Sequence, residues 1–167
     1  MLIETDDDVA NGARALIQKT PEFSLIYETC QPVLLRRRPQ GFATLLHIIV
    51  GQQVSVASAA AIWQRVVDGG FTDRDNVQGC NDQDLAGVGL SKPKIKYAKA
   101  LANHDLDFST LVNCSDDDCI SKLTAITGIG TWTAEIYVIT ALGRRDVFPH
   151  GDLALQEAAK LVFSLEQ

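Results

Sequence analysis

Residues 126–135, Ile126-Thr127-Gly128-Ile129-Gly130-Thr131-Trp132-Thr133-Ala134-Glu135, set two glycines one residue apart ahead of a hydroxyl residue and an apolar, helix-like run. Glycines in alternation permit a left-handed backbone or the close approach of another chain. They also leave successive amide N–H groups free to point one way, and such a nest at a helix N-terminus binds phosphate. The same apolar-x-Gly-apolar-Gly pattern occurs at Leu85-Ala86-Gly87-Val88-Gly89. Each copy stands between two short amphipathic segments. The spacing therefore predicts a helix, a tight glycine hairpin and a second helix, twice in one chain. Taken alone, either copy is equally well a simple turn between two packed helices.

Outward from these hairpins, apolar residues recur at helical spacing over Val9–Ile17, Phe42–Val50, Val54–Val67, Ile95–Leu101, Ile120–Ile126, Trp132–Leu142 and Leu153–Leu165, and strand signals are nearly absent. The expected fold class is all-α. Helix starts are marked by Thr5 before Asp6-Asp7-Asp8, by Pro21-Glu22 after Thr20, and by Ser115-Asp116-Asp117-Asp118, which has the spacing of a capping box. Residues 1–35 read as helices. The formal charge, 15 − 21 = −6, argues against a protein that coats nucleic acid through bulk charge. Much of that charge sits where helix dipoles favour it, which leaves room for a local basic surface.

A chain of 167 residues, 46% of them hydrophobic, is long enough for one domain with its own core. No apolar run approaches the roughly 18 residues of a membrane span, and the start Met-Leu-Ile-Glu-Thr-Asp is acidic where a secretory signal is basic and then apolar. The expected location is cytoplasmic, at the nucleoid in a bacterium, or nuclear in a eukaryote, without a membrane partner. Cys30, Cys80, Cys114 and Cys119 form no C-x-x-C pair. Neither a zinc knuckle nor a redox dithiol is indicated, and the four read as spacers or buried thiols.

The first hairpin continues as Gly89-Leu90-Ser91-Lys92-Pro93-Lys94-Ile95-Lys96-Tyr97-Ala98-Lys99, four lysines around a tyrosine. By itself this is either a basic binding helix or a solvated face. Together with Gly51-Gln52-Gln53-Val54-Ser55, the second hairpin, and Asp146-Val147-Phe148-Pro149-His150-Gly151-Asp152-Leu153-Ala154-Leu155, it makes four segments in a fixed order. In that order, from Arg36 to the C-terminus, they resemble the helix-hairpin-helix (HhH-GPD) superfamily of DNA glycosylases, specifically the 3-methyladenine DNA glycosylase II branch. The resemblance implies one helical domain over residues 1–167 with two lobes, acting as a monomer on double-stranded DNA that carries alkylated bases.

The resemblance also assigns roles. The hairpin Gly128, Ile129 and Gly130, with Thr131 and Thr133 at the following helix start, would grip the DNA backbone through main-chain amides. Carbonyls of Ile126 and Ile129 would hold a monovalent cation that shares a phosphate oxygen; no side-chain metal ligand and no other cofactor is implied. Such contacts position a duplex without reading its sequence. Trp132 stands where the bifunctional members carry a lysine that attacks the sugar as an amine nucleophile. An indole nitrogen cannot do so, and the implied activity is hydrolytic, leaving an abasic site in an intact strand. The four-cysteine run of the iron–sulfur members is absent from this sequence. The plain alternative for Trp132 is a core aromatic at a helix start.

Asp152 matches the family's catalytic aspartate, delivered by a Pro-x-Gly turn at a helix start, where an aspartate is equally a favoured N-cap. Ionised there, it would stabilise the positive charge that builds on the sugar and orient the attacking water. A purine alkylated at N3 or N7 is cationic and leaves without a general acid, which suits a chain whose histidines are His47, in an apolar helix, His104, and His150, a turn residue or a partner of Asp152. The base must leave the duplex first. Gln53 stands at the position of the intercalating wedge, held by leucine in some relatives, with Gln52 beside it on the DNA-binding segment; as a plain reading, both belong to a polar helix junction. Trp132 would stack on the extruded base, with a cation–π gain of roughly 0.5 to 2 kcal/mol. Ile136 would line the pocket where some relatives place a tyrosine. Arg36, Arg37 and Arg38 would neutralise phosphate, or are solvated.

Two other classes stay open: a non-catalytic helix-hairpin-helix binding module, which needs no aspartate at 152, and a glycosylase for another damaged base, including a bifunctional one. Members usually continue past the aspartate helix with a further helix that closes the base pocket, so the chain reads as shortened at its C-terminus. The β-rich N-terminal domain of some relatives has no counterpart in residues 1–35.

Overall fold

A computed structural model of the chain describes residues 2–165. Among them there are helices and loops and no strand. The helices are α1 (Asp6–Lys19), α2 (Phe23–Thr29), α3 (Phe42–Gly51), α4 (Val56–Asp68), α5 (Arg74–Gly79), α6 (Asp82–Gly87), α7 (Lys92–Ala102), α8 (Asp116–Thr124), α9 (Thr131–Thr140) and α10 (Leu153–Phe163), with a 3-10 turn at Phe108–Asn113. The two glycine hairpins join α6 to α7 and α8 to α9, as their pattern predicts. Thr5 caps α1 in a full capping box with Asp8, and Ser115 caps α8 through the Asp118 amide.

The core forms around α3, which packs on α4, α7 and α9, while α8 packs on α9. Leu45, Leu46, Ile49 and Val50 of α3 share this core with Tyr137 and Val138 of α9, all buried. Each such aliphatic side chain stabilises the fold by about 1.5–3 kcal/mol. Tyr137 brings a hydroxyl into this core, and it accepts a 2.8 Å hydrogen bond from the Gly41 amide. Burial pushes its phenol up to about 12, so it stays neutral.

Two expectations from the sequence need correction. Residues beyond α2 are not helical: from Gln31 to Gln40 the chain has no regular secondary structure. Pro32 and Pro39 cannot donate to a helix and disfavour helical geometry in the residues before them. The backbone bonds of this segment go elsewhere, Leu35 N–H to the Asp6 carboxylate at 2.8 Å and Arg38 N–H to the Thr140 carbonyl at 2.9 Å. The lysines of α7 are not a uniform basic face either. Lys94 is buried and donates to the Val50 carbonyl at 2.7 Å, closing the C-terminal end of α3, and Lys99 donates to the carbonyl of Cys80. A helix C-terminus is where a cation is favoured. Desolvation lowers the Lys94 pKa, a cost that the carbonyl contact offsets. Smaller shifts of boundary also have causes: α4 starts at Val56, not Val54, because Ser55 caps it, and α10 ends at Phe163 because Ser164 takes a left-handed conformation.

Tyr97 of α7 fixes the second hairpin. A Cβ on Gly128 would overlap the Tyr97 ring, and Gly128 has φ +91°, so glycine is required there twice over. Gly87 has open space and an ordinary φ. Gly128→Ala is expected to cost about 2–4 kcal/mol and lower the thermal midpoint by roughly 4–12 °C. Gly87→Ala is expected to stay within about 1 kcal/mol of the parent. Equal midpoints in thermal unfolding would show that the Tyr97 contact does not hold the hairpin.

Candidate functional site

The two hairpins share a pattern but differ in what covers them. In the first, the Gly89 and Leu90 amides donate to the carbonyls of Ala86 and Leu85 at 2.9 and 3.2 Å, and Arg65 Nε donates to the Val88 carbonyl at 2.9 Å. The Arg65 guanidinium lies 2.6 Å from where a Cβ on Gly89 would stand. Arg65 thus covers the Gly89 turn, while Ser91, the N-cap of α7, makes no side-chain cap bond. The second is open. Gly130 is the N-cap of α9 with no side chain to cap it, and nothing lies within 4 Å of its Cβ position. Among the described residues no protein acceptor meets the amides of Gly130 through Thr133. Donors left over at a helix start, with the positive end of the helix dipole behind them, form a site for an anion.

Gln52 buttresses this hairpin from the end of α3. Its Nε2 donates to Thr133 Oγ1 at 2.9 Å and to the Gly128 carbonyl at 3.3 Å. The side chains of Gln52 and Thr133 therefore face each other inside the protein, and the latter is buried. Only the Thr133 main chain belongs to the open helix start. Gln53, by contrast, is exposed and holds φ +55°, a conformation that side-chain-bearing residues seldom adopt. It projects from the loop between α3 and α4 beside the hairpin. Thr131 is exposed, and Ile126 and Ile129 bury their side chains beneath the turn. The Ile126 carbonyl accepts from the Ile129 amide at 3.1 Å, while the Ile129 carbonyl has no donor among the described residues.

Across the groove, Asp152 caps α10. Its Oδ1 accepts from the Ala154 and Leu155 amides at 2.8 and 3.2 Å, and its other oxygen accepts from Trp132 Nε1 at 2.7 Å. The indole bond, then the two amides, outweigh desolvation and hold the carboxyl below its ordinary value of 3.8. The contribution to stability is present above the unfolded value and is lost as pH falls through the folded one. At neutral pH this side chain is an anion, locked to the first turn of α9. Trp132 is thus neither a bare stacking platform nor a mere core aromatic: one edge positions the carboxylate.

His150 does not serve Asp152. Its Nδ1 lies 3.8 Å from Oε1 of Glu135, a carboxylate only 6% exposed, and its carbonyl accepts from Gln156 at 2.8 Å. In the sequence Glu135 reads as one more polar position of α9, and the structure buries it beside His150.

Trp132 divides two cavities. One of about 420 Å³ is lined by Gln52, Gln53, Gly130, Trp132 and Asp152 and brings the hairpin, the wedge position and the carboxylate together. The other, of about 770 Å³, lies beyond the indole between Ile136, His47, Thr140 and the arginines 36–38. A third, of about 740 Å³ under the N-terminal helices, touches neither Trp132 nor Asp152. Among the described residues no cluster of His, Cys, Asp or Glu is placed to hold a metal, and no helix is long and apolar enough to cross a membrane.

An uncapped helix start, an anionic carboxylate and a flat aromatic thus border one groove. The model of the HhH-GPD superfamily of base excision DNA repair proteins matches residues 46–167, and the chain belongs to that superfamily. It is 34% identical to the Saccharomyces cerevisiae DNA-3-methyladenine glycosylase over 155 residues, which cover 83% of this chain and 51% of the yeast protein. The crystal structure of the DNA-3-methyladenine glycosidase of Bacillus halodurans superposes with TM-score 0.76 at 34% identity, covering 91% of this chain and 73% of that one. The Schizosaccharomyces pombe 3-methyladenine DNA glycosylase bound to abasic DNA shares the fold, with TM-score 0.81 at 22% identity over 94% of this chain and 82% of that one. The chain spans between 47% and 60% of the length of the first curated relatives that it matches.

Gly130→Asp tests the open helix start. Gly130 has φ −87° and free space, so the variant is expected to fold and to cap α9 as stably as the parent or better. Its carboxylate would occupy the anion site. Affinity for undamaged duplex, measured by fluorescence anisotropy, is expected to fall about tenfold or more whatever the sequence. Unchanged affinity in the folded variant would remove phosphate from this hairpin.

Proposed function

We propose that this chain is a monofunctional DNA glycosylase that hydrolyses the N-glycosidic bond of alkylated purines, of the 3-methyladenine and 7-methylguanine type, flipped from duplex DNA. The observation that carries the reading is the bond between Trp132 and Asp152 in the groove that the open hairpin borders. The hairpin amides take a backbone phosphate, and a monovalent cation on the Ile129 and Ile126 carbonyls would share one of its oxygens. Gln53, on its exposed loop, fills the gap left in the stack, and Gln52 keeps the hairpin in shape from behind.

With the nucleotide extruded, its sugar comes over Asp152 and the base passes Trp132. As the bond from C1′ to the purine nitrogen breaks, positive charge gathers on the sugar. The carboxylate is already ionised and already oriented by three donors, so it stabilises that charge without reorganising. The same anion orients a water toward C1′. No lysine lines the groove, which supports hydrolysis over attack by an amine and hence an abasic product without strand cleavage.

Asp152→Asn is the direct test. The Asn oxygen can still accept from the α10 amides, but its NH2 then faces the indole N–H, and a cost of about 1–2 kcal/mol in stability is expected. Release of 3-methyladenine from methylated duplex in single turnover is expected to slow about a hundredfold or more, with DNA binding retained. A stable variant that releases base at the parental rate would contradict the mechanism.

A further inference from the structure

Cys114 and Cys119 stand where α8 begins, apart from the groove that holds Trp132 and Asp152. Ser115 is the N-cap, its hydroxyl accepting from the Asp118 amide at 3.1 Å, so Cys114 is the residue before the cap and Cys119 the fourth of the helix. Side chains at these two positions pack against each other across a helix start. Both cysteines also converge on one acceptor. The Leu111 carbonyl takes the Cys114 amide at 3.2 Å and the Cys119 thiol at 3.2 Å. The sequence has no C-x-x-C pair; a capped helix start instead brings two thiols together at the spacing C-x-x-x-x-C.

Their surroundings differ. Cys119 is fully buried, and burial first, then the charge of Cys114, raise its pKa, so it keeps its proton. Cys114 is half-buried, and the exposed Lys122 donates to its sulfur at 3.1 Å. That bond is the first cause of a raised Lys122 pKa, so the amine is an ammonium at neutral pH. The thiolate is the nucleophilic form of a cysteine, and a neighbouring ammonium favours it. Arg144 fixes the same corner through its Nη2, which donates to the carbonyls of Val112 and Cys114 at 3.0 and 2.9 Å. A reactive sulfur formed at Cys114 would therefore be held against a second, protected thiol.

We propose that Cys114 and Cys119 form a peroxide-reactive dithiol, in which Cys114 is the attacking thiol, Lys122 its activating partner and Cys119 the resolving thiol. The dithiol is independent of the glycosylase reading. The Cys114 sulfur attacks one oxygen of hydrogen peroxide: a sulfur–oxygen bond forms, the oxygen–oxygen bond breaks, and the other oxygen leaves as water with the proton of the thiol. The sulfur is oxidised to a sulfenic acid and the peroxide is reduced. The Cys119 thiol then attacks that sulfur: the disulfide bond forms, the sulfur–oxygen bond breaks, and a second water leaves with the Cys119 proton. Two thiols and one peroxide thus give one disulfide and two waters. A small-molecule thiol reopens the bond by exchange.

The test treats the reduced whole chain with hydrogen peroxide, blocks free thiols with N-ethylmaleimide at intervals, and reads the tryptic peptides by mass spectrometry. Cys114 and Cys119 share one such peptide. It is expected to lose both blocking groups together and to weigh two hydrogens less than its reduced form, and dithiothreitol is expected to restore both thiols. Cys30, exposed at the end of α2, is the reference within the chain, and the pair is expected to react about tenfold faster or more. Lys122→Met is expected to slow the pair about tenfold and leave Cys30 unchanged, while Lys122→Arg recovers most of the rate. In Cys114→Ser, Cys119 is expected to stay reduced. Sulfinic acid on Cys114 beside a free Cys119 overturns the dithiol, as does a pair that reacts no faster than Cys30. A rate unchanged in Lys122→Met, with the fold intact by circular dichroism, overturns the role of the lysine and the proposal with it.

Discussion

The hydrogen bond of 2.7 Å from the Trp132 indole to the Asp152 carboxylate is the constraint on which the rest of the site depends. It ties the first turn of α9 to the first turn of α10, two helix starts that each offer main-chain donors. One of these starts is satisfied by Asp152 itself; the other, at Gly130, has no side-chain cap. A single side-chain pair thus sets the distance between an uncapped helix start and an ionised carboxylate. The pair also decides the charge state, because a donor to an ionised carboxylate favours that form.

Everything behind the pair serves to hold it still. Tyr97 fills the hollow under Gly128, Gln52 ties the hairpin carbonyl to Thr133, and Tyr137 joins α9 to the segment that walls the larger cavity. The first hairpin, with the same glycine spacing, carries Arg65 where the second carries Tyr97, and its helix α7 packs on α3.

The helical class, both hairpins and the carboxylate at a helix start were legible in the sequence because each depends on local chemistry: apolar period, alternating glycines, a capping residue. What was not legible depends on partners far along the chain. Four lysines of α7 look alike in sequence, yet Lys94 is buried on the end of α3 and Lys99 is spent on Cys80. The apolar run at Val33-Leu34-Leu35 looked like more helix, and between Pro32 and Pro39 it has no regular secondary structure. His47 looked like a polar residue lost in an apolar helix; only the arrival of Arg38 and α9 turns its face into a cavity wall. Gln52 and Gln53 were adjacent and chemically identical, and a positive φ at the second sends them in opposite directions.

The most direct measurement is the titration of the Asp152 side-chain carboxyl by carbon-13 NMR, in the parent and in Trp132→Phe, which keeps an aromatic ring and removes the donor. The parent carboxyl is expected to titrate below its ordinary 3.8, and the variant at a higher pH, because the largest cause of the lowering is the indole bond. The amide bonds that cap α10 should persist in both. Identical titration curves in two folded proteins would contradict the central claim, since the indole would then not hold the Asp152 carboxylate in its ionised form.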